Sequence, residues 1–161
     1  MERKNIKVII AGILIIAWMI VIFIFSAMAG DYSANLSSGL LHTILKVIPS
    51  LAESQTAHLI VRKLAHMTEY AILCGLILNL EYQITNKVKL KQVAIAILGS
   101  FLYAGTDEWH QTFISGRSGN MLDVGIDTLG AIIAIAVTFS IIQIRKIKQE
   151  SYHNKKMRKE N

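Results

Sequence analysis

From Val8 to Phe25 the chain runs 18 residues without a charged side chain, and three later segments repeat the pattern in weaker form. Leu64 to Leu80 is interrupted by His66 and Glu69. Val93 to Thr106 is short by itself, and Val124 to Ile144 is interrupted by Asp127. A helix needs roughly 20 apolar residues to cross the hydrocarbon core of a bilayer. Backbone groups cannot stay unpaired in lipid, so segments of this kind are expected to be helices. With 53% apolar residues and a mean hydropathy of +0.45, the chain is too apolar for an ordinary soluble domain.

The expected fold class is therefore all-α, an integral membrane bundle of about four transmembrane helices. The spans are placed at about 8–27, 62–81, 92–111 and 123–144. Its 161 residues suit one domain. Residues 1–144 form the membrane unit and 145–161 a basic cytoplasmic tail. Lysine and arginine set the orientation. Arg3, Lys4 and Lys7, then Lys87, Lys89 and Lys91, then the seven of the tail from Arg145 to Lys159, make 13 of the 17 basic residues. Four spans put all of these on one side, so both termini are expected in the cytoplasm. The 31–57 loop and the 112–120 turn then face outward. Ala27-Met28-Ala29 also resembles a small-residue cleavage site, and cutting after Ala29 would leave three spans. The apolar run exceeds the ~7–15 residues of a signal core, so the first span is expected to be retained. Cys74 is the only cysteine, which excludes an intrachain disulfide.

Against this background, residues 107–127 pack Asp107, Glu108, His110, Arg117, Asp123 and Asp127 between two apolar segments. Ionisable groups at a bilayer are expensive and ask for a reason. Arg62, His66, Glu69 and Leu73 share a face of the second span at i, i+4, i+7. Tyr103, Asp107 and His110 share a face of the third, with Glu108 about 100° from Asp107. Asp123, Asp127, Gly130 and Ala134 share a face of the fourth, where the two small residues let a neighbouring helix come close. All these groups fall at the outer level and are expected to border one pocket. Five carboxylates against two arginines leave an excess of negative charge, to be met by a held proton, a charged histidine or a bound cation.

Structural roles compete with functional ones. Asp123 can favour a helix start by itself, and Asp127 can form a buried pair with Arg117 or Arg62. His66 and Glu69 can be interhelical glue. Tyr70, Tyr103 and Trp109 read as interfacial belt residues. The basic tail is explained by orientation and by contact with anionic lipid headgroups, without nucleic acid. The metal-ligand, nucleophile-elbow and phosphate-loop motifs of soluble enzymes are absent. Mixed donors from His66, Glu69, Asp107, Glu108 and His110 would suit a divalent metal such as Zn²⁺ or Mn²⁺, although their spacing matches no metal pattern.

The order and spacing of several pieces resemble the VanZ-like family of small bacterial membrane proteins. The pieces are Phe25-Ser26, Arg62-Lys63-Leu64-Ala65-His66, Glu69-Tyr70 and Tyr103-Ala104-Gly105-Thr106-Asp107-Glu108-Trp109-His110-Gln111. Gly116-Arg117, Asp123-Val124, Asp127 and Leu129-Gly130 complete them. The resemblance implies a multi-span protein of the bacterial cell membrane, and a link to glycopeptide antibiotics through a founding member that lowers susceptibility to teicoplanin. It brings no settled biochemical activity, and the family allows Asn at the position of Asp127.

The leading functional expectation is recognition of a lipid or lipid-linked cell-wall precursor in the outer leaflet. Arg62 and Arg117 would take phosphate or carboxylate, assisted by Gln111, Asp123 and Asp127. The alternative is an intramembrane hydrolase or transferase acting on a lipid-linked phosphate. His66 or His110 would be its acid or base, and Glu69, Asp107 or Glu108 would orient the histidine or hold metal. A proton-coupled transporter is a third reading, opposed by the apolar inner halves of the helices.

Overall fold

The computed structural model describes residues 2–27, 55–115, 117 and 119–160. Four α-helices and no strand occur among them: α1 Glu2–Ala27, α2 Gln55–Thr85, α3 Leu90–Gln111 and α4 Met121–Glu160. The all-helical expectation holds. Every helix reaches beyond its expected span, and α4 continues through the basic tail as one element of 40 residues. The loop expected over 31–57 falls almost wholly outside the described residues, as does the Ala29 cleavage position.

The connections explain the register. Asn86 adopts a left-handed conformation (φ 53°) after α2, a backbone that Asn tolerates at helix ends. Its N–H reaches Tyr82 O at 2.8 Å. The Gln92 side chain then turns back to accept the Lys89 N–H at 3.2 Å and starts α3. At the far end of α3, successive backbone bonds from Thr112, Phe113 and Ile114 back to Trp109, His110 and Gln111 wind the chain into a turn. Asn120 caps α4 by accepting the Leu122 N–H at 3.0 Å.

Alternating directions give the bundle two unlike ends. At one, Lys4 at the start of α1 donates to Ile84 O near the end of α2, at 2.8 Å. The N-terminal basic residues therefore lie beside the 86–89 turn. At the other end meet the last turn of α1, the early turns of α2, the last turns of α3 and the first turn of α4. Between the ends, Cys74, Leu78, Val93, Ala96, Ala131 and Ile135 form one apolar core, and Ile22, Tyr70, Leu73, Ala104 and Val124 a second. Cys74 is fully buried, as its apolar surroundings imply.

Among the described residues two helices are long and apolar enough to cross a membrane, α1 and the Met121–Gln149 part of α4. Their outward faces are oily: Ile9, Ile13 and Ile16 of α1 are each about 60% exposed. A close helix crossing lies at Gly130, where a β-carbon would lie 2.1 Å from Met67 O of α2. The absent side chain lets the two backbones touch, as its pattern in the sequence implied.

Candidate functional site

The polar end of the bundle encloses a cleft of about 350 Å³, lined by Arg62, Lys63 and His66 of α2 and by Glu108 and Gln111 of α3. Arg117 and Asn120 of the turn, and Asp123, Ile126 and Asp127 of α4, complete it. Seven residues singled out in the sequence thus meet: Arg62, His66, Glu108, Gln111, Arg117, Asp123 and Asp127. Lys63 and Asn120 were not among them. Asn120 was legible as a cap three positions before an acid. Lys63 was legible only as the neighbour of Arg62.

Each side chain has a defined support. Lys63 forms an ion pair with Asp123. Asp123 therefore spends its carboxylate across the helix crossing, and the capping role considered for it falls to Asn120. Glu108 accepts the Asn120 N–H at 2.9 Å and the Gln111 Nε2 donor at 3.0 Å. The same amide donates to Asp107 Oδ2 at 3.1 Å. Gly119 closes the turn directly onto α3, since a β-carbon there would sit 2.0 Å from Glu108 O. The Arg117 guanidinium donates to Gln111 Oε1 at 3.3 Å and to Phe25 O of α1 at 3.0 Å. Burial, and then the charge of Arg62, lower its proton affinity, yet a guanidinium keeps its charge in any such setting.

Glu108→Ala removes the acceptor that holds the turn to α3 and strands a backbone donor. The expected loss is about 1.5–3 kcal/mol, read as a melting point several degrees lower in detergent. Glu108→Gln, which keeps an acceptor oxygen, is expected to recover part of it.

Glu69, Asp107 and His110 do not line the cleft. The shared face of Tyr103, Asp107 and His110 turns toward α1 instead. Tyr103 OH donates to Met19 O at 2.7 Å, the His110 ring lies 4.6 Å from that of Phe23, and Asp107 faces Ser26 and Tyr70. The Trp18 indole N–H reaches Glu69 O at 2.9 Å. This second polar layer is buried: Ser26 and Tyr70 are inaccessible and Asp107 is 4% exposed. Ser26 Oγ, Tyr70 OH and Asp107 Oδ1 close no hydrogen bond among the described residues.

Two expectations are corrected. The nine ionisable candidates do not all line one pocket, because α1 draws one face of α3 and the Glu69 position of α2 away from the cleft. On the walls themselves Arg62, Lys63 and Arg117 stand against Glu108, Asp123 and Asp127, with Glu69 and Asp107 close behind Arg117. Tyr70 is not a belt residue but lies in the core, whereas Trp109 stands 67% exposed and packs edge-on against the exposed Phe113. His66 Nδ1 lies 3.7 Å from Glu69 Oε2, too far for a hydrogen bond. Among the described residues no three His, Cys, Asp or Glu side chains are placed to hold one metal ion.

An all-helical bundle with two membrane-length helices and a polar cleft at one end defines a class of membrane protein. Within it, the chain belongs to the VanZ/LLP1 family, whose model matches residues 11–143. That match runs from α1 into α4 and takes in every residue of the cleft. No curated protein and no solved structure matches the chain.

Proposed function

We propose that this protein is a four-span protein of the bacterial cell membrane, with both termini in the cytoplasm, and that its cleft recognises a lipid or lipid-linked cell-wall precursor in the outer leaflet. The observation that carries this reading is the placement of Arg62, Lys63 and Arg117 around one cleft at the end of a bundle whose outer faces are apolar. Guanidinium groups take phosphate or carboxylate through paired hydrogen bonds, and the oily helix faces beside them accept acyl or prenyl chains. A role in lowering susceptibility to teicoplanin-type glycopeptides fits a site that engages envelope lipids. The basic tail contacts anionic headgroups on the cytoplasmic side.

A second reading, an intramembrane hydrolase or transferase, draws on His66. It lines the cleft with Glu69 behind it at 3.7 Å, and catalytic contacts are commonly long before substrate binds. His110, packed on Phe23, is poorly placed for that work. Proton-coupled transport finds no support beyond the cleft. The buried polar side chains nearer the other end, Gln92 and Ser100, are engaged with local backbone groups.

Lipid analysis of a deletion strain tests recognition and catalysis together. Complementation by wild type, but not by Arg117→Ala or Glu108→Ala, is expected to restore the profile of one envelope lipid. An unchanged profile throughout argues against both. Orientation is tested with single cysteines in a Cys74→Ala background. Ser115→Cys is expected to react with a membrane-impermeant maleimide on intact cells and Lys89→Cys only after lysis. The reverse pattern overturns the outer-leaflet placement. α1 supplies Phe25 O to Arg117 and Met19 O to Tyr103, and its Ile22 and Ser26 are buried. The purified protein is therefore expected to keep residues 1–29 by intact mass.

A further inference from the structure

The charged groups of the cleft are not equally engaged. Lys63 is paired with Asp123, Glu108 holds the Asn120 N–H and the Gln111 amide, and Arg117 binds Gln111 and Phe25 O. Two groups, a cation and a buried carboxyl, have no hydrogen-bond partner of their own among the described residues. Asp127 of α4 is 1% exposed and lines the cleft, and its Oδ2 has no hydrogen-bond partner among the described residues. Arg62 of α2 lines the same cleft, half-buried, and forms no ion pair or hydrogen bond among the described residues. No ion pair joins the two. A buried carboxylate oxygen without a donor costs free energy that a ligand donor recovers. A cation and a buried carboxyl left open on facing helices suit a ligand with an anion at one end and N–H donors at the other.

We infer that the cleft selects a zwitterionic headgroup, its phosphate against Arg62 and its primary ammonium against Asp127. This rests on the proposed lipid recognition and names its chemical class. A primary ammonium brings three N–H donors to the Asp127 carboxylate, whereas a quaternary ammonium brings none and is bulkier. The volume of about 350 Å³ lies within the range of small-ligand sites. The same chemistry occurs in an aminophospholipid headgroup and in a free phosphoethanolamine.

The test is lipid binding by the full chain in detergent, read by native mass spectrometry with dioleoyl lipids of four headgroups. Phosphatidylethanolamine is expected to bind at least fivefold more tightly than phosphatidic acid, phosphatidylglycerol or phosphatidylcholine. Asp127→Asn is expected to erase that preference while leaving phosphatidic acid binding in place. Equal binding of ethanolamine and choline lipids by the wild type overturns the inference without recourse to any variant, and so does a preference that survives Asp127→Asn. Loss of binding to all four lipids in Arg62→Ala supports the broader lipid reading, and wild-type protein that retains none of the four sinks that reading as well. Competition by soluble phosphoethanolamine shows that the headgroup alone suffices. Lipid selectivity without such competition assigns the source to the membrane.

Discussion

Gly130→Val is expected to prevent assembly of the bundle. A β-carbon at this position would lie 2.1 Å from Met67 O and 2.9 Å from Met67 C. Backbone cannot swing aside as a side chain can, so α2 and α4 must separate by an ångström or more. These two helices share the most extensive contact in the fold and form two walls of the cleft. Overpacking of a well-filled contact costs about 1–3 kcal/mol, and a clash with backbone falls at or above the top of that range. The whole stability of a domain is only about 5–15 kcal/mol. The measurement is folded yield and thermal unfolding in detergent, with Gly125→Ala as control. Gly125 is on the same helix, nothing lies within 4 Å of its missing β-carbon, and alanine there is expected to raise helix stability by about 0.5–1 kcal/mol. Wild-type melting of Gly130→Val would contradict the close crossing.

Arg117→Ala is expected to lower affinity for an anionic lipid at least tenfold, about 1.4 kcal/mol. The guanidinium ties the turn to α3 through Gln111 and to α1 through Phe25 O while lining the cleft. Its removal both takes a cation from the walls and unfastens the end of α1. Arg117→Lys is expected to recover only a minor part, because one ammonium cannot span the two divergent acceptors that a planar fork reaches. Full recovery by lysine would mean that charge alone matters at this position. Melting curves of both variants separate the fastening role from the binding role. A binding defect that persists in protein melting within a few degrees of wild type belongs to the cleft.

Much of the cleft was legible in the sequence because α2 and α4 carry their polar residues at regular helical spacing. Arg62 with His66, and Asp123 with Asp127 above Gly130, fall as the periodicity says. The reading failed where α1 intervenes. α1 contributes chiefly backbone carbonyls and an indole N–H: Met19 O to Tyr103, Phe25 O to Arg117 and Trp18 to Glu69 O. A helix apolar all round has no pattern to show which face it will present or which neighbour it will cover. The sequence therefore grouped Tyr103, Asp107 and His110 correctly on one face, yet gave no sign that this face meets α1 rather than the cleft. Glu69 and Asp107 lie behind the cleft walls, and Lys63, beside Arg62, joins those walls.

The continuity of α4 has a consequence for how the C-terminal charge is used. Its 40 residues extend about 60 Å at ~1.5 Å per residue, twice the ~30 Å of a bilayer's hydrocarbon. Set along the bilayer normal with its span ending near Ile144, the helix keeps Arg145 to Lys148 within about 8 Å of the surface, one Debye length in physiological salt. Lys155 comes about 16 Å beyond Ile144 along the same axis, where the field of the leaflet has largely decayed. One continuous helix thus sets the two halves of the basic tail at different distances from the surface. On the proposed topology the near group lies within reach of the anionic headgroups, and the far group stands beyond it.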